Sequence, residues 1–462
     1  MGLAGVLLGL AALVWLSFRG WSVLLLAPAA ALVAAAAAAE PLLMHWTDTF
    51  MDAAGGFIAQ FFPLFLLGAL FGKLMEDSGS VATISRFMSE KLGARRAMLA
   101  VVLAGALVTY GGVSLFVAFF VLAPMAQGLF RAADIPGRLM PAAIALGTST
   151  FTMTALPGTP SIQNAIPMPF FGTTAFAAPG LGVIAAAIML GLGLWWLGRA
   201  PASARRNGEG YGSVAVAPDT AAEHPLIRER ATTAASFDPI EARRGNISQK
   251  GPGTLVAVLP LVVVVLVNLA LSSAALPGVG SVIVALACAI AALALLNRRR
   301  LPSLRETFDA GASASVLPIV SVASPVGYGA VVAAMPAFSM VSDWLMSIGG
   351  GPLVSLAVST NVLAALTGSA SGGMTIALGA LGEHYLGLAA ELGMDPALMH
   401  RVAAIGAGTL DSLPHNGAVV TLLAVCGATH RESYLDILVT AIVGPLLALA
   451  AVIALGSTFG SF

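Results

Sequence analysis

The sequence predicts an all-α polytopic membrane protein built as two inverted repeats, each with about five transmembrane spans, a re-entrant hairpin and a broken helix. Three observations predict it: an apolar composition, one charged segment near mid-chain, and an ordered echo of the first half in the second. Of 462 residues, 58% are hydrophobic and 10% charged, and the mean hydropathy is +0.92. Soluble domains carry about 25% charged and about 45–50% apolar residues. So few polar side chains cannot cover a water-facing surface, which excludes a soluble enzyme, a nucleic-acid binder and a disordered hub. Twenty-two cations against twenty-two anions leave no net field for a polyanion. Cys288 and Cys426 lie in apolar runs and make neither a disulfide framework nor a zinc site. No metal or other cofactor is expected.

A spanning helix needs about 20 apolar residues. Uniform runs occur at 2–18, 21–39, 56–74 and 176–197. The first ten residues carry no Lys or Arg, so the opening run reads as a retained helix. Residues 97–130 and 139–172 are long but interrupted by Gly, Pro, Ser and Thr. Residues 198–252 hold fourteen of the forty-four charges, with Pro, Gly and Ser clusters, and read as a solvated cytoplasmic linker. Its Asn246-Ile247-Ser248 matches a glycosylation acceptor, a pattern short enough to arise by chance. Uniform runs resume at 253–272, 277–297, 313–335 and 435–457, with interrupted stretches at 351–385 and 397–428. Residues 1–197 and 253–462 are thus the two repeats. Interruptions cost backbone hydrogen bonds that hydrocarbon cannot replace, so they belong where protein or a watery cavity surrounds them.

Lys and Arg set the orientation. With 97–130 and 351–385 as hairpins, and 139–172 and 397–428 as single broken crossings, one side collects twenty-one of the twenty-two cations. Arg401 alone falls outside. Both termini are then external, and an odd number of spans per half inverts the second half. Internal symmetry agrees. Pro63 and Gly72 recur as Pro318 and Gly327, offset by 255, and Gly111-Gly112 recurs as Gly372-Gly373, offset by 261. Ala142-Ala143-Ile144 recurs as Ala403-Ala404-Ile405, and Leu156-Pro157 as Leu413-Pro414, in the same order. Inverted repeats with discontinuous helices mark secondary transporters, whose sites lie near the midplane where the breaks meet.

Four stretches carry a family resemblance: Phe62-Pro63-Leu64-Phe65-Leu66-Leu67-Gly68 with the following 71–79; Leu107-Val108-Thr109-Tyr110-Gly111-Gly112-Val113-Ser114-Leu115; Thr152-Met153-Thr154-Ala155-Leu156-Pro157-Gly158-Thr159-Pro160; and Leu410-Asp411-Ser412-Leu413-Pro414-His415-Asn416-Gly417-Ala418-Val419. Together they resemble the gluconate:proton symporter family, which is similar to the wider ion-transporter superfamily. The resemblance implies an elevator-type homodimer in a bacterial inner membrane. It also implies proton-coupled uptake of gluconate or a related sugar acid, or of 3-hydroxybutyrate or D-serine in some branches. With Asn164-Ala165-Ile166-Pro167-Met168-Pro169-Phe170-Phe171-Gly172 after the first break, the sequence resembles other branches more than the enteric gluconate carriers.

The candidate substrate site combines two hairpin tips and two breaks. Tyr110, Gly111, Gly112 and Ser114 form the first tip, and Ser369, Ser371, Gly372 and Gly373 the second. Gly158, Thr159 and Ser161 lie in the first break and Asn416 in the second. Glycine allows a turn with positive φ and close backbone approach, so Gly112 and Gly373 are expected to meet the substrate by backbone. Helix N-termini beyond the turns suit a carboxylate, and Ser, Thr and Asn suit hydroxyls. No Lys or Arg occurs in these clusters, which points to a hydroxy-monocarboxylate held by dipoles. The competing reading is that small residues serve close helix packing. Asp411 and His415 are the candidate proton-coupling residues. Burial disfavours a carboxylate's charged form, and histidine titrates near neutral pH. The alternative makes Asp411 a helix cap. Glu383 and His384 are expected at a solvated hairpin mouth, and Lys73, Glu76 and Asp77 as interfacial anchors. Protease motifs and a phosphate-binding loop are absent from the sequence. An anion channel and sodium coupling remain the alternatives.

Overall fold

The computed structural model describes residues 2–18, 23–206, 209–211, 251–274, 278–301, 303–336, 338, 340, 348–367, 369–414 and 416–462. The described residues form helices and turns, with no strand among them. Helices satisfy their own backbone groups, which is what an apolar chain in hydrocarbon needs. Seven described helices are long and apolar enough to cross a membrane.

Helices α1 (Gly2–Phe18) and α2 (Val23–Ala37) run antiparallel, with Gly5 against Ala37 and Gly9 against the Ala30 carbonyl. Helix α3 (Leu42–Asp77) leads into α4 (Ser80–Leu92), which meets the following helical stretch Ala94–Tyr110 at a bend of 101°. Gly93 sits at that corner with φ +62°, a conformation open to glycine at little cost. In α4, Val81 and Ile84 face inward while Arg86 and Glu90 face out, the amphipathic pattern of a helix with one face on protein.

Helices α5 (Ala97–Tyr110) and α6 (Leu115–Ala132) pack on each other about the first tip. The first interrupted stretch resolves into α7 (Met140–Thr148), α8 (Phe151–Thr154), α9 (Ile162–Ala165) and α10 (Pro167–Phe171). Helix α11 (Pro179–Arg206) runs past its expected end at 197. Alanines and arginines propagate a helix well, and the Arg199 guanidinium lies 4.0 Å over the Trp195 ring.

After the linker come α12 (Thr254–Ala274), α13 (Val279–Asn297) and α14 (Leu304–Ala334), the last capped by Ser303, whose hydroxyl accepts from the Glu306 N–H. Helices α15 (Pro352–Thr367) and α16 (Ala370–Leu392) pack about the second tip. Helix α17 (Pro396–Ala407) ends at a turn around Leu410–Ser412, and α18 (Gly417–Cys426) resumes beyond it. A Thr429/Glu432 capping box starts α19 (His430–Phe459).

The long third helices of the two halves, α3 and α14, pack antiparallel. Asp77 accepts a 2.7 Å hydrogen bond from Thr307, Leu70 lies beside Gly311, and Phe50 covers Gly327. Helices α11 and α19 do the same: the Gly180 N–H donates to the Phe462 carbonyl at 2.7 Å, and Trp196 donates to Asp436 at 2.9 Å. Each half also lends a helix to the other's long one, α2 against α14 and α13 against α3.

Segments that the cation count puts on one side touch one another. Arg138 pairs with Glu209 at 3.0 Å and with Asp436 at 2.7 Å, and Gly251 lies against Gly79 and Thr83. Lys73, Glu76 and Asp77 depart from expectation. They are not interfacial anchors but a buried group, 4%, 6% and 0% exposed. Lys73 lies 2.9 Å from each carboxylate. The reason is the α3–α14 crossing, which covers the end of α3 with protein. Glu383 and His384 are exposed, as expected of a solvated end. Cys288 and Cys426 are both free thiols.

Candidate functional site at the meeting of tips and breaks

Two adjoining cavities lie where the interrupted stretches meet, and Leu115, Met153 and Gln163 line both. The first cavity adds Thr154 from the first break, Ala370 from the second tip, and Asp411 and Asn416 from the second break. The second adds Gly112 and Ser114 from the first tip, Pro160 and Ser161 from the first break, and Gly68 and Gly72 of α3. The four clusters therefore border one depression made of two cavities with Leu115, Met153 and Gln163 in common. Pro157 and Pro160 help to stop the helix at the first break, and threonines take up backbone carbonyls around it. Thr150 donates to Leu146 O at 2.7 Å and Thr154 to Thr150 O at 3.1 Å.

Three helices of ten or more residues begin at this depression. Ser114 caps α6 by accepting from the Phe116 N–H, and Ser369 caps α16 by accepting from Gly372. Asn416 caps α18, its Oδ1 accepting from Ala418 and Val419. The first-turn residues Leu115, Ala370, Ala418 and Val419 line the first cavity. Three positive dipole ends thus face one space.

Asp411 lines that space half-buried, and its Oδ1 accepts a 2.7 Å hydrogen bond from Asn416 Nδ2. The cap of α18 is Asn416, with Asp411 behind it holding the amide in place. His415 lies outside the described residues.

Other candidates do not reach the cavities. Tyr110 donates to the Pro157 carbonyl at 2.8 Å, tying the first tip to the first break. A Cβ on Gly111 would lie 2.1 Å from Leu261, and one on Gly158 would lie 2.5 Å from the Phe176 ring. Thr159 is buried, its hydroxyl accepting from the Ser161 N–H. Ser371 is buried beside Ser369. Gly372 and Gly373 are buried too, and a Cβ on Gly373 would stand 2.2 Å from the Ala364 backbone nitrogen. Gly373 is therefore a packing glycine between α15 and α16, contrary to the expectation of substrate contact.

Gly112 behaves otherwise. It lines the second cavity with φ +97°, and an added Cβ would meet Pro160 Cγ at 2.8 Å. Gly112→Val is expected to keep membrane expression and lose substrate binding at least tenfold, because strain and bulk fall on the tip alone. Gly373→Val is expected to lose expression outright, because backbone cannot yield as a side-chain end can. Fluorescence-detected size exclusion of both variants, followed by binding, checks the contrast.

Two residues were missed. Arg401, read from the sequence only as the one cation on the external side, is 0% exposed and braces the first break. Its Nε and one terminal nitrogen donate to Ala177 O at 3.1 and 2.6 Å; the other donates to Thr154 O at 3.0 Å and Asn164 Oδ1 at 3.2 Å. The clusters themselves hold no cation, but Arg401 backs the first of the two breaks without lining either cavity. His400 beside it contacts Thr173 Oγ1 at 2.6 Å and Asn164 Oδ1 at 3.2 Å. Gln163 is the second, 4% exposed and on both cavities. Its place directly before Asn164, next to the break at Leu156–Ser161, was the available signal. Among the described residues no group of His, Cys, Asp and Glu could hold a metal ion.

A family described as GntP family permease matches residues 1–173. The uncharacterized transporter YxjC of Bacillus subtilis (strain 168) is 40% identical over 489 residues, covering all of both chains. Two solved structures share the fold at low identity. The Alcanivorax borkumensis YdaH transporter matches with TM-score 0.57 and 16% identity over 88% of each chain. Neisseria gonorrhoeae MtrF matches with TM-score 0.53 and 13% identity over 89% of this chain and 84% of its own. The chain belongs to the GntP permease family: it is a multi-pass membrane transporter, not an enzyme.

Proposed function

We propose that this permease is a proton-coupled symporter that takes up a small hydroxy-monocarboxylate such as gluconate or a related sugar acid. Short hydroxy acids such as 3-hydroxybutyrate fit the same chemistry. The observation that carries the reading is the convergence of three capped helix N-termini on the cavity that also holds Asp411. Dipole ends suit one carboxylate, serine and asparagine caps suit hydroxyls, and a single acid beside them suits one proton. A monocarboxylate travelling with a proton is electroneutral, which spares the cost of a bare charge in the bilayer.

The same reading takes the two halves as inverted repeats around 198–252, with 97–130 and 351–385 as re-entrant hairpins and 139–172 and 397–428 as broken helices. The antiparallel pairing of α3 with α14 and of α11 with α19 supports it, since a two-fold axis in the membrane plane sets equivalent helices antiparallel where they meet. Elevator motion of a homodimer in the inner membrane, both termini external, completes the proposal. Ser461→Cys is expected to react with an impermeant thiol reagent in intact cells and Ser213→Cys to be shielded. Labelling of position 213 alone would overturn the topology.

Counterflow tests the carrier assignment. Proteoliposomes loaded with unlabelled gluconate are expected to take up labelled gluconate transiently and saturably. Linear flux without counterflow would make the protein a channel.

A further inference from the structure

Gln163 carries an amide that the fold does not use. The residue is 4% exposed, and its Oε1 is buried with no hydrogen-bond partner among the described residues. Buried polar groups are almost always paired, and each exception calls for an explanation. Neighbouring polar groups are committed elsewhere. Asn164 Nδ2 donates to Thr159 O and Ala175 O, and Ser161 Oγ donates to Met153 O at 2.6 Å. Gln163 instead lines both cavities, beside the first tip on one side and in the cavity of Asp411 and Asn416 on the other.

We propose that Gln163 is the residue that reads the substrate's hydroxyl group and so sets the preference for hydroxy acids over their unsubstituted analogues. The proposal rests on the hydroxy-monocarboxylate reading. An amide offers a carbonyl acceptor and an N–H donor from one side chain, and a hydroxyl offers the matching donor and acceptor. Whichever way the amide is turned, one of its ends can meet a hydroxyl. With the carboxylate at the helix N-termini, Gln163 stands in the space between the two cavities, where the substituted carbon of a short acid would lie. A site built to bond a hydroxyl rejects the analogue that lacks it, because the site's own polar group is then left buried and unpaired.

The test compares wild type with Gln163→Met, a substitution of similar length and volume. Binding of 3-hydroxybutyrate, gluconate and butyrate is measured by competition against labelled 3-hydroxybutyrate, or labelled gluconate if that binds more tightly, with thermal unfolding in detergent recorded in parallel. The methionine variant is expected to bind the hydroxy acids about tenfold more weakly. Butyrate affinity should be unchanged or higher, which would collapse the preference. Its unfolding temperature should be equal to or above that of wild type, because a buried unpaired group has been removed. A purely structural glutamine would show the reverse: a lower unfolding temperature and an unchanged preference, and that result overturns the inference. If wild type binds no hydroxy acid at all, the failure belongs to the substrate reading instead. Gln163→Glu adds a second test: a carboxylate there should repel the anion and weaken all three acids, and tighter anion binding would contradict the placement.

Discussion

Arg401→Met is expected to destabilise the fold severely. The guanidinium satisfies the Ala177 carbonyl twice and the Thr154 carbonyl once, where the helices around the first break are interrupted. Removing it strands buried carbonyls at about 1–3 kcal/mol each and leaves a void in a fully buried site. Against a typical stability of about 5–15 kcal/mol, that loss should show as poor expression and a fall in unfolding temperature of several degrees or more. Arg401→Lys keeps the charge but replaces a planar fork of donors with one ammonium, so it should recover only part of the loss. A methionine variant with wild-type unfolding temperature and activity would mean that the break holds itself together without the brace.

Asp411→Asn is expected to abolish accumulation of substrate driven by a pH gradient, to the level of vesicles without protein, while exchange of labelled for unlabelled substrate stays partly active. Asparagine copies the protonated acid in shape and charge, and its carbonyl can still accept from Asn416 Nδ2, which now bonds Asp411 at 2.7 Å. The cap on α18 should therefore survive. Asn416→Ala is expected to behave differently, removing the cap at about 1 kcal/mol and weakening substrate binding together with exchange. Wild-type accumulation by the Asp411→Asn variant would assign Asp411 a structural role and put the proton path elsewhere.

Much of the fold was legible because hydrocarbon imposes one rule. A chain crossing it must be helical and apolar for about 20 residues, and the runs at 253–272 and 277–297 match α12 and α13 to within a few residues. Helix ends were less legible, because polar caps and long charged side chains extend helices into water. Leu304, capped by Ser303, begins α14 nine residues before the apolar run at 313, and α11 continues to Arg206. The meeting of four clusters could be anticipated from Gly, Pro and polar residues placed alike in both halves. The direction each glycine faces could not. Gly112 borders the cavity while Gly373 packs against backbone, although the two occupy matching places in sequence. Burial of charge was also hidden. Arg401 and the Lys73, Glu76 and Asp77 group look like boundary residues in one dimension, and only tertiary contacts from distant segments cover them.

The proposed driving force for uptake of a hydroxy-monocarboxylate is a proton, not sodium. Purified protein in sodium-free proteoliposomes, alkaline inside and acidic outside, tests it most directly. Labelled gluconate or 3-hydroxybutyrate is expected to accumulate above equilibrium, to collapse on adding a protonophore, and to be indifferent to sodium. No accumulation under the pH gradient, with concentrative uptake appearing only when a sodium gradient is imposed, would contradict the proton assignment.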